Sequence, residues 1–303
     1  MRYSRNAIAL LITVMFVIVI SVALGYGLQA LKQSNQVVAK EKFLYQSSAL
    51  IEDVLKILKN SPDMKQLEDD NATTQMYLFL AESAYIPLEF GGIKVVLSFS
   101  SARSKFNPNQ LFDNKEEIDA FKKYLQKYMI DALYADILLD NMRIVTEKNR
   151  YDSYSSRIFD ENPDLFREYI ASKEHLDAIN DFYKVEYHNE NINNIDFDKL
   201  FYYSKNRNTA IDLNYATPEV WEMILGVDRL RAEELSAGSG SYSSVEDLGL
   251  LDEEKKSLKK FQTSFYEPYL LVKLKLMSDV GYSEINFEYD IRSKKGYGFV
   301  FKI

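Results

Sequence analysis

The side chains that usually carry out chemistry are scarce in this chain. Cysteine is absent, and there are two histidines, His175 and His188, too far apart for an HxxxH pair. Without thiols there is no thiolate nucleophile, disulfide framework or zinc ribbon. Carboxylates are plentiful, with 45 Asp and Glu, but close pairs such as Asp136 and Asp140 fall at helical spacing and share a solvated helix face. Asp160, Glu161 and Asp164 are acidic enough to hold calcium, although such a run more often forms a plain polar surface, and no metal ligands are assigned. Eleven glycines include no GxGxxG and no GxxxxGK[ST], so no loop is built to cradle phosphate. No nucleophile stands beside a base. A net charge of −8 opposes broad binding to a phosphate backbone. These observations imply a non-enzyme. Abundant instead are 22 Tyr and 18 Phe. Tyr202-Tyr203 and Phe182-Tyr183 could anchor an interface, but packing inside a helical block accounts for them more simply.

One covalent step is legible at the N-terminus. Residues Ile8 to Leu24 read IALLITVMFVIVISVAL, and no charge occurs between Asn6 and Ala30. About 20 apolar residues suffice to cross a bilayer core. Arg2 and Arg5 precede the run and orient the extreme N-terminus to the cytoplasm, with everything after about Leu31 on the far side, the periplasm of a Gram-negative cell. Three readings compete: a plain signal anchor, a secretory signal peptide cut after Ala23, and a type IV pilin-like leader. In the third, Met1 to Ala7 is removed on the cytoplasmic side, the helix is kept, and Ile8 becomes the new N-terminus.

The elements beyond that run follow from periodicity. Val38, Leu44, Leu50, Ile51, Val54, Leu55 and Leu58 recur at three- and four-residue steps, which extends one helix from about Ile8 to Lys59, ~75 Å long. Asn60-Ser61-Pro62-Asp63 ends it. Residues 77–100 read as β, with Gly91-Gly92 marking a hairpin and Pro87 marking an edge strand. A helical block follows to about residue 262. Asn114 caps a helix carrying Ile118, Phe121, Leu125, Tyr128, Met129 and Ala132, with Glu117 reaching back. Leu165 to Ala178 is a second helical stretch, and Asn189 to Asn194 a loop. Thr217-Pro218 starts another helix. Ser243 caps a short one, with Glu246 three residues on. Alternation at Leu270 to Leu276, Ile285 to Ile291 and Phe299 to Ile303 predicts an antiparallel meander. Three strands need a cover on one face, and the amphipathic half of the long helix supplies it.

Several segments resemble the general secretion pathway protein K (GspK) family, minor pseudopilins of type II secretion systems. Arg5 to Val14 is similar to that family's leader and helix start. Arg103-Ser104-Lys105-Phe106-Asn107-Pro108-Asn109-Gln110-Leu111 resembles its GRFNLNNL segment. Ile211 to Val220 (IDLNYATPEV) resembles INLNTAPPEVL, and Ser243 to Leu248 resembles the Ser-Ser-x-x-Asp-Leu that follows. Ala7 stands where the family has glycine. The resemblance implies an α+β, pilin-like fold: a long N-terminal transmembrane helix packed on a small antiparallel sheet, with a large α-helical domain inserted in the sheet. The expected parts are a leader (1–7), a transmembrane helix (8–31), the periplasmic half-helix with the first strands (32–105), the inserted helical domain (106–263) and the C-terminal strands (264–303). Prepilin peptidase would cleave between Ala7 and Ile8, and Ile8 would then be N-methylated. Ile12 occupies the fifth mature position, where ordinary pilins carry glutamate; a tip subunit has no neighbour above it to receive that charge. Implied partners are other minor pseudopilins, the major pseudopilin, prepilin peptidase and the inner membrane. Implied localisation is single-pass in that membrane with the bulk periplasmic, at the pseudopilus tip once assembled. No cofactor is implied beyond the calcium that some family members bind, and the ligands cannot be placed here.

A second resemblance competes. Leu213 to Leu248 is similar to a helix-hairpin-helix repeat, whose Gly-hydrophobic-Gly hairpin offers backbone amides to phosphate. Here the hairpin is Gly226-Val227-Asp228, with Asp228 in place of the second glycine and Glu219, Glu222, Glu233 and Glu234 nearby. That reading implies a pseudopilin of a DNA-uptake or pilus-like machine. The acidic surroundings make nucleic acid an unfavourable partner.

Overall fold

A computed structural model describes residues 38, 41–43, 45–90, 92–143, 156–278 and 281–302. The predicted transmembrane helix (8–31), Ala7, Ile8, Ile12, Leu44, Gly91 and Ile303 lie outside the described residues. Among those described, no helix is long and apolar enough to cross a membrane.

Helix α1 covers residues 45–60. Leu50, Ile51, Val54 and Leu58 are buried on one face, as the three- and four-residue spacing requires. Val38, expected on that face, is exposed. The chain leaves α1 at Asn60, where Ser61 and Pro62 start a new helix. Ser61 accepts the amide of Asp63 at 3.2 Å as N-cap of α2 (Pro62–Gln66). Helix α3 (Thr73–Glu82) follows, which corrects the reading of residues 77–82 as strand. Met76 is fully buried and Phe79 packs on Phe99 at 5.3 Å. That contact with the sheet overrides the β preference of Tyr77 to Leu80.

Strands β1 (Ile86–Phe90) and β2 (Ile93–Ser101) form the expected hairpin. The next residue of the five-stranded sheet comes only at Tyr269. Between them lie α4 (Lys115–Lys127), α5 (Leu133–Asp140), α6 (Ser156–Glu161), α7 (Lys173–Tyr187), α8 (Phe197–Leu200), α9 (Pro218–Leu225), α10 (Arg229–Ala237) and α11 (Asp252–Leu258), with the two-residue strands β3 (Ile211–Asp212) and β4 (Thr263–Ser264) paired in parallel. Then come β5 (Tyr269–Ser278), β6 (Gly281–Asp290) and β7 (Lys295–Lys302). The sheet order is β1-β2-β5-β6-β7, antiparallel throughout. Ser101 pairs with Leu270, and the Ala102 amide donates to the Tyr269 carbonyl at 2.9 Å. The helical segment therefore leaves and re-enters the sheet at one point, between hydrogen-bonded neighbours.

Two separate cores result. In the first, rows such as Leu97–Leu274–Ile285 and Phe99–Val272–Phe287 run across the strands and pack under α1, α2 and α3. In the second, around Trp221, the aromatics stack on one another: Phe106 with Phe261 at 6.0 Å, Phe121 with Phe201 at 5.8 Å, and Tyr134 with Tyr183 at 5.2 Å. Strand β7 is an edge. Its ladder shifts register between Asn286 and Glu288, and Gly298 takes φ +62°, the left-handed conformation of a glycine-first bulge.

Local signals hold where their partners are within a few residues. Asn114 accepts the amides of Glu116 and Glu117 at 3.1 and 3.3 Å, and Thr217 accepts that of Val220 at 3.3 Å behind Pro218. Other details differ. Helix α4 stops at Lys127, and Met129, with φ +58°, is exposed. Residues 165–172 are not helical, because Ser172 caps α7 instead, accepting the His175 amide. Residues Glu190–Asn194 form a 3₁₀ turn. Ser243 does not cap a helix. Asp247 accepts from the Ser243 amide and hydroxyl and the Ser244 amide at 2.8–2.9 Å, so its carboxylate is held down at about 2 by those donors.

Candidate assembly interface

Two of the family-like motifs, Arg103–Leu111 and Ile211–Val220, meet at the point where the helical segment joins the sheet. The carbonyl of Arg103 accepts the Asp212 amide at 2.9 Å, and that of Ser104 accepts the Thr217 amide at 3.1 Å. Phe106 bridges Phe201 in parallel. Arg103, 5% exposed, grips Glu288 of β6 with both terminal nitrogens, Nη2 to Oε1 at 2.7 Å. Its guanidinium lies between the rings of Tyr269 at 4.1 Å and Tyr202 at 5.1 Å. A planar cation between two π-faces and a bidentate carboxylate is a strong, directional fastening.

Beyond it, buried amides tie down loops. Asn107 donates to the carbonyls of Ser204 and Asn206 at 3.0 and 2.8 Å. Asn109 donates to Ile170 and Ser204 carbonyls and accepts the Ile170 amide at 2.8 Å. Gln110 donates to the Thr209 carbonyl at 2.8 Å. Asn214 donates to the carbonyls of Tyr242 and Phe265 and accepts the Tyr242 amide. Asp212, fully buried, accepts the amides of Asn214 and Glu267. Burial pushes its carboxyl up to about 7 against those two donors. The motif residues are thus fasteners that hold the insertion in place.

Glu117 on α4 is 2% exposed, and its Oε2 has no hydrogen-bond partner. Burial raises its carboxyl to about 7, opposed by a hydrogen bond with Asn114. The folded state therefore holds a proton that the unfolded chain releases near 4.5. Stability from this group is present at low pH and is lost as pH rises through about 7. Glu117→Gln should gain on the native protein by about 3 kcal/mol between pH 5 and pH 8. Chemical denaturation of both proteins at the two pH values reads this directly; a constant difference would show that Glu117 is ionised throughout. Comparing the two chains cancels the opposite slope of buried His175, whose imidazole burial lowers to about 4.

The surface residues sort differently. Exposed large apolar side chains occur on α1 (Tyr45, Ile57) and along edge strand β7 (Tyr297, Phe299, Val300, Phe301), with Leu88 of β1 at the opposite edge of the sheet. Phe299 and Phe301 lie on the α1 side of the sheet, Phe299 stacked on Phe287 at 4.8 Å and Phe301 opposite Ile285. Among the described residues strand β7 pairs only with β6, which leaves its other ladder edge unpaired there. This region, rather than the motif cluster, is the candidate surface for protein partners.

The hairpin that resembled a phosphate binder is already occupied. Gly226 takes φ +73°, and its amide donates to the Glu222 carbonyl at 3.0 Å. Asp228 caps α10 by accepting the Arg231 amide at 2.9 Å, so a carboxylate already stands at the start of that helix. Lys127 is spent on the Val227 carbonyl. Arg229 is held by Glu219 and Glu233, each at 2.8 Å. The nucleic-acid reading is not supported by this geometry.

The remaining candidates behave as ordinary structure. Asp136 pairs with Lys122 at 2.7 Å and Glu161 with Arg157 at 3.1 Å. Among the described residues no three His, Asp or Glu converge on one point. Tyr183 is buried against Tyr134, and Tyr202 backs Arg103.

No protein-family model matches the chain, and no curated protein matches it. Among solved structures, a chain of the GspK–GspI–GspJ complex from the type 2 secretion system of enterotoxigenic Escherichia coli is similar. The TM-score is 0.61 and the identity 10%, and the match covers 88% of this chain and 99% of that one. The chain therefore has a GspK-like fold, mixed helix and antiparallel sheet.

Proposed function

We propose that this protein is a minor pseudopilin, a non-catalytic structural subunit at the tip of a type II secretion pseudopilus. The observation that carries the reading is the helical domain inserted between adjacent strands β2 and β5 of a sheet covered by α1. A shaft subunit is surrounded by neighbours, and a body of this size would block a helical lattice; a tip subunit has one open end. The shared fold with a chain from a minor-pseudopilin complex supports the same reading. Its partners would be other minor pseudopilins, meeting it through the helix that begins at Ile8 and the apolar surface of α1 and β7. The helix would sit in the inner membrane until assembly, with the head in the periplasm and prepilin peptidase acting between Ala7 and Ile8. Ile12, in place of the usual glutamate, suits a subunit that nothing docks above.

The N-terminus of protein from native membranes tests this reading. Intact mass and peptide sequencing should find a chain that begins with N-methylated Ile8. A chain retaining Met1 in cells with active prepilin peptidase would remove it from any pseudopilus.

A further inference from the structure

On the helical domain, beside the loops that Asn107 and Asn109 hold, a cleft of about 500 Å³ opens between the segment before α4, the end of α5 and the segments around Tyr169 and Lys205. Its size is that of a site for a small organic molecule. Three cations line it, Arg143, Lys205 and Arg207, against one carboxylate, Glu168, in a chain whose net charge is −8.

The three cations have different roles. Arg207 is fixed: its guanidinium lies 4.2 Å from the centre of the Phe112 ring and pairs with Asp113 at 3.2 Å. It also donates to the carbonyls of Glu168 and Met142 at 3.1 and 3.5 Å. It forms the wall. Lys205 stands 5.7 Å over the Tyr169 ring, which is itself stacked on Phe166 at 5.2 Å. Among the described residues neither Lys205 nor Arg143 forms an ion pair with a carboxylate. Phe112, Met142 and Tyr169 complete the lining with apolar surface.

Two cations that pair with no carboxylate among the described residues, beside apolar side chains, suit one chemistry. We propose that this cleft binds a small organic carboxylate, its charged end between Arg143 and Lys205 and its apolar body against Phe112, Met142 and Tyr169. Arg143 supplies a fork that matches a carboxylate, and Lys205 a mobile point charge. Glu168 sets a limit: it repels a second negative charge, so a monocarboxylate is favoured over a dianion.

The test uses the full chain in non-ionic detergent micelles and 4-fluorophenylacetate as probe, followed by fluorine NMR with protein-free micelles as the blank. Matched titrations use neutral 4-fluorophenylacetamide and inorganic phosphate in competition. The carboxylate should bind saturably, and the amide at least tenfold more weakly. Phosphate should displace the probe poorly. The double variant Arg143→Gln/Lys205→Gln, both residues exposed, should weaken the probe at least tenfold with an unchanged thermal midpoint. Equal binding of amide and carboxylate, absence of saturable binding, or an undiminished double variant would each overturn the proposal. Efficient displacement by phosphate would overturn the part assigned to the apolar lining. None of these outcomes bears on the pseudopilus reading, which rests on the fold and the N-terminus.

Discussion

Asn214→Ala should cost about 3–5 kcal/mol, among the largest effects expected of a single polar substitution among the described residues. The side chain donates to the Tyr242 and Phe265 carbonyls at 2.8 and 2.7 Å and accepts the Tyr242 amide at 2.9 Å. It is fully buried. Alanine removes one residue's polar atoms but leaves three backbone groups without their partner, the Tyr242 amide and carbonyl in buried positions and the Phe265 carbonyl in a partly buried one. Each stranded group carries a desolvation penalty of roughly 1–3 kcal/mol, only partly recovered by relaxation. Asn214→Asp should be nearly as damaging, because a carboxylate cannot donate to the two carbonyls. Denaturant unfolding would measure both. If Asn214→Ala lost less than about 1 kcal/mol, the contacts would not be fastening the insertion.

Arg103→Ala should cost about 3 kcal/mol and should change the character of unfolding as well as its midpoint. The guanidinium links the two cores: it extends from the motif segment to Glu288 of the sheet and is flanked by Tyr202 of the insertion and Tyr269 of β5. Removing it leaves Glu288 half-covered without its partner and empties the space between the rings. The sheet and the helical domain have separate hydrophobic cores, so a weaker junction should let them unfold in separate steps. Calorimetry should show a broadened or split transition in Arg103→Ala and one transition in the native chain. Arg103→Met, which keeps much of the packing, should restore part of the midpoint but not the coupling to Glu288. A double-mutant cycle with Glu288→Gln isolates that coupling; strict additivity would mean that the packing between the tyrosines holds the junction and the ion pair adds nothing.

The junction of insertion and sheet and the candidate interface were less legible than the fold. Residue types and order pointed to Arg103, Asn107, Asn109 and Asn214 through resemblance alone, and what these side chains hold lies far away in sequence. Glu288 is 185 residues from Arg103, and Ser204 is 97 from Asn107. Nothing in the spacing of a single chain names such partners. The exposed aromatics of β7 gave a visible alternation, but alternation alone assigns two faces without saying which one a helix covers. The cleft of Arg143, Lys205 and Arg207 had no signal at all, since its lining comes from four separated segments.

By itself, the sequence determined those features whose partners are local. The apolar steps of α1, the β1–β2 hairpin, the caps at Asn114 and Thr217 and the strands of the meander each depend on atoms within a few residues or on a repeating pattern. Tertiary structure decided the rest. Residues 77–82 became helix because Met76 and Phe79 are buried against the sheet. Ser243 gave up its expected cap because the Asp247 carboxylate draws its amide and hydroxyl, together with the Ser244 amide. Gly226-Val227-Asp228 keeps a tight turn, yet Asp228 takes the Arg231 amide and Glu219 and Glu233 take the Arg229 guanidinium, so neither is left for a phosphate. In each case the local preference is worth a few tenths to one kcal/mol, and burying an apolar side chain or satisfying a buried or charged group outweighs it.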